Sequence, residues 1–381
     1  MSKVKIYLVA GEPSGDLLGS RLMRALKKTY GRNVVFMGVG GETMTREGLN
    51  SLFDIKELAV MGLVEVLPSI PRILRRIEQV GQDILIQNPD IVITIDSYSF
   101  SARVHKWLKT HQVPVKHVHY VAPQVWAWKK KRADTAYQLF DHLFCLLPNE
   151  VPLFEGKKMA STFVGHPVVE SAANAGDAAG FRKKYHIPDK AFVMCMLPGS
   201  RKNEINYLLN DFMKTAELVR QKHPDLFVVV PTVQTVSERV EKALQNWPIP
   251  HVVVMGEQNR YDAFAAAQLA LASSGTVSLE LAMAGVPHII AYRVSRLTAA
   301  IVRRLVTVRF VNLINLLLDR EIIPEMLQEK CTPDQLAKAL ESVLKKNKQD
   351  QVHQALMKLG VDDRQTPSEK MVQKIREMIR K

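Results

Sequence analysis

An apolar strand-like run, Val4-Lys5-Ile6-Tyr7-Leu8-Val9-Ala10, leads directly into the turn Gly11-Glu12-Pro13-Ser14-Gly15-Asp16 and then into a helix-period stretch from about Asp16 to Tyr30. The unit recurs. Strands are expected at Asn33–Gly38, Asp90–Ile95, Val115–Val121 and Leu143–Leu147, with helical stretches between them. After His166-Pro167 comes Ser171–Gly180, rich in small residues and suited to a surface connection. The alternation then restarts, with strands expected at Phe192–Leu197, Phe227–Val230, Val252–Met255, Leu269–Ala272 and His288–Tyr292. Alternating strands and helices fold as parallel sheets with helical crossovers. A chain of 381 residues also outgrows a single core. The expectation is therefore an α/β protein of two facing doubly wound, Rossmann-like domains with an interdomain cleft. They are expected over residues 1–170 and 181–365, with a last helix at 366–381.

Composition removes several classes. Apolar residues make up 47% and charged residues 24%, which excludes a largely disordered or fibrous chain. The three cysteines, Cys145, Cys195 and Cys331, have neither disulfide-framework nor zinc-site spacing, so no disulfide framework and no zinc site is expected, and elsewhere in the chain no metal or cofactor is expected either. The first ten residues enter a strand at once instead of a signal-peptide pattern, and no apolar run reaches membrane-spanning length, so a cytoplasmic location is expected. The net charge of +14 favours anionic partners, which charge alone leaves open among nucleic acid, lipid headgroups and phosphorylated small molecules.

Ligands of open α/β sheets sit at strand C-termini, so the residues there carry the functional reading. Gly11–Asp16 follows the first strand without the Gly-x-Gly-x-x-Gly or phosphate-loop spacing. Glu12, Ser14 and Asp16 are substrate-loop candidates, and a plain turn with Asp16 capping the helix fits equally. Asp96 ends its strand where a general base would stand; a helix cap or a lysine partner is the competing reading. Pro198-Gly199-Ser200-Arg201 offers a guanidinium for phosphate oxygens, against a salt bridge from Arg201 to Glu204. Ser273-Ser274-Gly275-Thr276 opens a helix whose backbone N–H groups suit a phosphate. Glu280 on that helix needs polar partners, either a ribose diol or a salt bridge. Trp126 and Trp128, with the cations at 129–132, suit sugars, phosphates or nucleic acid, and a tryptophan core with a solvated first turn is the ordinary alternative. The segment 60–77 carries Met61, Leu63, Val66 and Leu67 with Arg72, Arg75 and Arg76. That combination suits an anionic lipid interface or an amphipathic helix on its own sheet, and 301–318 poses the same choice.

Taken in order, the motifs resemble the lipid A disaccharide synthase family over nearly the whole chain. They are Gly11-Glu12-x-Ser14-Gly15-Asp16, Gly38-Val-Gly-Gly41, Glu57 to Pro68, Tyr120-Val-x-Pro-x-Val-Trp-Ala-Trp128, Gly165-His-Pro167, Leu197-Pro-Gly-Ser-Arg201, Ser274-Gly-Thr276 and Asn315-Leu-Leu. The resemblance implies a GT-B fold with an acceptor and membrane side in the first domain and a donor side in the second. It implies a metal-independent inverting glycosyltransferase, peripherally bound to the cytoplasmic face of the inner membrane. The implied partners are UDP-2,3-diacylglucosamine, 2,3-diacylglucosamine 1-phosphate and an anionic membrane surface, with no nucleic acid; a homo-oligomer is compatible. On this sequence Asp96 becomes the base, and Arg201, Ser274, Gly275, Thr276 and Glu280 the UDP contacts. Asn315 becomes a further active-site polar group, 60–77 an acyl or membrane contact, and Ser368–Lys381 a helix returning to the first domain. A GT-B relative acting on a soluble UDP-sugar, such as an epimerase, is the alternative. The chain departs from the family after Asp96: Asp96-Ser97-Tyr98-Ser99-Phe100-Ser101 stands where the family has an Asp-x-Pro-Asp-Phe-Asn pattern.

Overall fold

The computed structural model describes residues 3–58, 63–123, 125, 131–155, 159–295, 298–299, 308–346 and 348–379. The chain divides into two compact units, Met1–Pro167 with Leu359–Lys381, and Val168–Lys358.

The first unit is a parallel sheet of β1 (Val4–Ala10), β2 (Val34–Val39), β3 (Ile91–Ile95), β4 (Lys116–Tyr120), β5 (His142–Cys145) and β6 (Ala160–Phe163), in the order β2-β1-β3-β4-β5-β6. Its helices are α1 (Pro13–Tyr30), α2 (Glu42–Arg46), α3 (Leu63–Gln87), α4 (Tyr98–Thr110), α5 (Lys131–Leu139) and α6 (Val151–Glu155). β1 and β3 read as near-continuous apolar runs because both faces of the sheet are covered, whereas β4, Lys-His-Val-His-Tyr, carries buried histidines. Ile6, Leu8 and Ala10 pack with Leu22 and Leu26 of α1 and with Met371, Val372 and Ile375 of the last helix, Pro367–Ile379. Tyr7 and Val9 face the other way, onto Ile77, Val80 and Ile84 of α3 and Val104 and Leu108 of α4. The Tyr7 hydroxyl donates to Asp83 Oδ2 at 2.7 Å, which satisfies a buried phenol whose pKa burial drives up. α1 begins at Pro13 and not near Asp16, since proline's missing N–H costs nothing in a first turn.

The second unit is a parallel sheet of β7 (Phe192–Leu197), β8 (Leu226–Thr232), β9 (His251–Met255), β10 (Leu269–Ser273), β11 (His288–Tyr292) and β12 (Glu325–Leu327), in the order β12-β11-β10-β7-β8-β9. α7 (Ala178–Lys184), α8 (Lys202–Arg220), α9 (Ser237–Leu244), α10 (Glu257–Ala266) and α11 (Val277–Met283) follow in chain order. Met194, Met196 and Leu271 pack under α8 with Phe212 and Ala216, while Cys195, Leu197 and Ala272 meet Tyr261 and Phe264 of α10 and Leu281 of α11 on the other face. The stretch 171–180 is already part of this unit, for Asp177 caps α7 by accepting from Gly180 N at 2.9 Å. Two strands escaped the sequence reading, β6 and β12. Both are short sheet edges.

Each strand order has one point where the winding reverses, between β1 and β3 in the first sheet and between β7 and β10 in the second. Loops diverge there and leave a crevice at the strand C-termini. The loops at those two points are Gly11–Asp16 with Asp96, and Gly199–Arg201 with Ser274–Thr276.

Candidate functional site

At the first switch point the backbone is bent against its preferences. Asp96 (φ 54°) and Ser97 (φ 42°) are both left-handed, as is the β-branched Val121 (φ 77°) just past β4. Each such residue costs about 1–3 kcal/mol and persists only where surroundings hold it. Here they do: Asp96 N–H donates to the Tyr120 carbonyl at 2.9 Å, and the Ser101 hydroxyl donates to the Asp96 carbonyl at 2.9 Å. Ser101 stands where the family pattern has an amide. The Asp96 carboxylate accepts from Ser97 N at Oδ1 (2.8 Å) and from the Ser14 hydroxyl at Oδ2 (2.9 Å), and stays partly exposed. A Cβ on Gly11 would lie 2.7 Å from Ser97 Cβ and Oγ, so only glycine lets the two loops approach this closely.

The three loop candidates separate. Ser14 touches Asp96. Glu12 is the N-cap of α1 and makes no side-chain cap bond, while its carbonyl accepts from Asp16 N at 3.0 Å. Asp16 has another job. Its buried carboxylate accepts Gly41 N (2.7 Å) and Met44 N (3.0 Å) on Oδ1, and Thr43 N (2.9 Å) and Thr43 Oγ1 (2.7 Å) on Oδ2. These four bonds occupy the lone-pair sites of a carboxylate and cap α2, so of the two readings of Asp16 the structure shows a cap, on α2 instead of its own helix.

At the second switch point a cavity of about 330 Å³ gathers Arg201, Ser274, Gly275, Thr276 and Glu280, all expected, and adds Gly199, Ser200, Glu204, Thr232 and Arg260. The buried Glu204 carboxylate organises one wall by accepting Ser200 N (2.8 Å) and Arg201 N (3.3 Å). Gly199 (φ 122°) is required there, since a Cβ would lie 2.3 Å from Glu204 Oε2. The salt bridge weighed against a phosphate role does form: Arg201 Nη1 lies 3.3 Å from Glu204 Oε1. Its side chain is nonetheless 60% exposed, so the pair tethers the guanidinium at the cavity without burying it. Glu280 likewise has a protein partner. Arg260 Nη2 donates to its Oε1 at 3.0 Å and the Tyr261 hydroxyl does so at 3.4 Å, with burial and the carboxylate pushing the phenol pKa up to about 12.

Asn315 is not among the residues that line this cavity. Fully buried, it donates to Ile323 O (2.7 Å) and Glu325 Oε1 (2.8 Å) and accepts from Ile322 N (2.7 Å) and Ile323 N (2.9 Å), which leaves no capacity for a substrate. In this structure Asn315 anchors the loop at Ile322 and Ile323, where the resemblance implies an active-site polar group. A second chain of buried bonds holds α11. Asn312 Nδ2 donates to Ser278 Oγ (2.6 Å), Ser278 pairs with His288 Nε2 (2.8 Å), and His288 Nδ1 faces the Val286 carbonyl (2.8 Å). A carbonyl only accepts, so Nδ1 carries the hydrogen and Nε2 accepts from Ser278. Burial keeps His288 neutral by pulling its pKa down to about 4.

On α3, Arg76 is committed to its own unit: it donates to both Glu57 oxygens and lies 4.6 Å above the Phe53 ring. These bonds hold against its own unit a residue expected at a lipid contact. Arg72 and Arg75 are exposed, beside the exposed Ile70 and Leu74. Leu63, Val66 and Leu67 lie on helical backbone, and their side chains fall outside the described residues, as do Met61, Trp126 and Trp128. Among the described residues no helix is long and apolar enough to cross a membrane, and no cluster of three or more His, Cys, Asp or Glu could hold a metal ion.

Two doubly wound parallel sheets, one with a polar cavity at its switch point, define the GT-B class. Solved structures agree on the fold. MurG of Acinetobacter baumannii aligns with a TM-score of 0.57 at 14% identity, covering 98% of this chain and 99% of its own. A UDP-GlcNAc 2-epimerase of Neisseria meningitidis, solved with UDP-GlcNAc, aligns with a TM-score of 0.61 at 11% identity, covering 98% of this chain and 100% of its own. Sequence carries the rest. The family described as Lipid-A-disaccharide synthetase matches residues 6–379. The Lipid-A-disaccharide synthase of Paramagnetospirillum magneticum is 51% identical over 341 residues, 89% of this chain and 87% of the relative, and that of Rhodospirillum centenum is 49% identical over 344 residues, 90% and 86%. The chain belongs to the lipid-A-disaccharide synthase family and is a glycosyltransferase. The epimerase alternative is not favoured, because the likeness to epimerases lies in the fold alone.

Proposed function

We propose that the protein transfers 2,3-diacylglucosamine from its UDP derivative to the 6-hydroxyl of 2,3-diacylglucosamine 1-phosphate, giving a β-1,6-linked disaccharide 1-phosphate and UDP. The observation that carries this reading is the second-unit cavity, which unites an exposed tethered guanidinium, the Ser274–Thr276 loop and the Glu280 carboxylate at a switch point. In the reaction Asp96 takes the proton of the acceptor hydroxyl, the oxygen attacks the anomeric carbon opposite the leaving group, and the bond to the diphosphate breaks with its electron pair going to UDP. Attack from the opposite face inverts the configuration. Arg201 and the loop amides offset the charge growing on the departing diphosphate, and Glu280 serves the ribose hydroxyls. Ser14 orients Asp96 through the 2.9 Å hydrogen bond described above. Both substrates are lipids, so the exposed Ile70 and Leu74 with Arg72 and Arg75 serve as a contact with an anionic membrane at the cytoplasmic face.

Incubating the folded protein with both lipid sugars, in detergent micelles and on anionic or zwitterionic vesicles, tests the proposal. Disaccharide and UDP should appear in equal amounts, with faster turnover on anionic vesicles. Absence of product in every carrier would sink the transfer reaction, and equal rates on both vesicle types would sink the membrane contact.

A further inference from the structure

Among the described residues four buried side-chain polar atoms have no hydrogen-bond partner, and two of them, Thr232 Oγ1 and Arg260 Nε, belong to residues lining the same second-unit cavity. Leaving such an atom unmet costs about 1–3 kcal/mol. Both residues line this one cavity, where a bound ligand can supply the missing partners. Thr232 is the last residue of β8 and is only 9% exposed. Arg260 lies in the first turn of α10, and its guanidinium is fixed by the 3.0 Å bond to Glu280 and by the Tyr261 ring 5.2 Å below, so the direction of Nε–H is fixed as well.

Their place in the sheet narrows the ligand group. The groups suited to phosphate, Arg201 and the Ser274–Thr276 loop, follow β7 and β10, whereas β8 lies on the far side of β7 from β10. Thr232 therefore stands at the end of the cavity away from the β10 loop. Arg260 Nε is a donor only, whereas the threonine hydroxyl both donates and accepts. A ring edge presenting carbonyl, N–H and carbonyl in a row meets both requirements, and that is the imide edge of uracil.

We propose that Thr232 and Arg260 read the base of the donor nucleotide, Arg260 Nε–H donating to a ring carbonyl and the Thr232 hydroxyl pairing with the neighbouring imide edge. With Arg260 Nε–H on the carbonyl at ring position 4, cytosine is disfavoured, because it carries an amino donor there while sharing uracil's carbonyl at position 2. The inference rests on the reading of this cavity as the site of a nucleoside diphosphate donor.

Calorimetric titration of the full chain with UDP, CDP and inorganic pyrophosphate tests it, using wild type, Thr232→Val and Arg260→Lys. The lysine keeps a cation for Glu280 and removes the fixed Nε. Wild type should prefer UDP to CDP by about tenfold or more, and each variant should weaken UDP by about tenfold while the UDP-to-CDP ratio falls and pyrophosphate binding holds. Thr232→Val should also melt no lower than wild type, since it deletes an unsatisfied hydroxyl, and it decides the question alone if the lysine variant misfolds. Wild-type UDP binding with variants that keep both affinity and base preference would overturn the base-reading role. Failure of wild type to bind UDP would instead remove the donor-site reading on which it stands.

Discussion

The two switch points are built in opposite ways. In the first unit the loops are satisfied among themselves: Asp16 spends its carboxylate on α2, Ser14 and Ser97 hold Asp96, and three left-handed residues are locked by neighbouring strands. In the second the walls are ordered by Glu204 and the Arg260–Glu280 pair, yet buried polar atoms on the cavity are left unmet. One place invests its strain in aiming a single carboxylate, and the other keeps hydrogen-bonding capacity in reserve for a polar ligand. On the proposed function the contrast has a reason: a base needs direction, and a nucleotide pocket needs vacancy.

The buried histidines sharpen that contrast and should give the largest effect. His117, His142 and His166 are drawn down to about 4 and His119 to about 3, chiefly by burial, and His105 is also held low, all in the first unit; His288 is the one such group among the described residues of the second. A histidine whose folded pKa lies below its unfolded value of about 6.5 binds protons first in the unfolded chain. Stability is thus complete above that value and is lost as the pH falls toward about 4. At pH 5 each such group costs about 2 kcal/mol, and several act together in the first unit. Hydrogen exchange between pH 7 and 4.5 should show the first sheet losing protection well before the second; equal loss in both would break the comparison.

Asp96→Ala should slow the chemical step by about a thousandfold, within the range of a general base and near 4 kcal/mol, while UDP affinity stays within twofold of wild type. Rapid-quench turnover alongside UDP titration reads both, and near-normal turnover would move the base elsewhere. Asp16→Ala should destabilise the first unit by about 3 kcal/mol by stranding the buried donor Met44 N and the half-buried donors Gly41 N and Thr43 N. Denaturant melts should register that loss with the UDP affinity of folded protein unchanged. A weaker grip on UDP would show that the two switch points are less separate than their construction indicates.

The architecture was legible because β1, β3, β7 and β10 are covered on both faces and announce themselves as largely apolar runs. β6 and β12 were not, since an edge strand of three or four residues has too few apolar positions to show a period. Loop positions at strand ends were equally visible, and the Arg201–Glu204 pair could be read from its helical spacing of three. The partners of Asp16, 25 to 28 residues away, left no mark in the sequence, because a long-range cap has no fixed spacing. The same blindness hid Arg260, whose meaning appears only when α10 and α11 lie side by side and bring it to Glu280. It also promoted Asn315, a polar residue in a family motif whose four bonds all turn inward.

The hydrogen-bond chain from Asn312 through Ser278 to His288 has one further implication. Every hydrogen in it points the same way and its last acceptor is a carbonyl, so it has no mirror-image arrangement to flip into while the imidazole is neutral. α11, carrying Glu280 and opening just after the Ser274–Thr276 loop, is therefore bolted from beneath. On the proposed function, this directed chain makes the helix that carries Glu280 a fixed wall of the donor cavity.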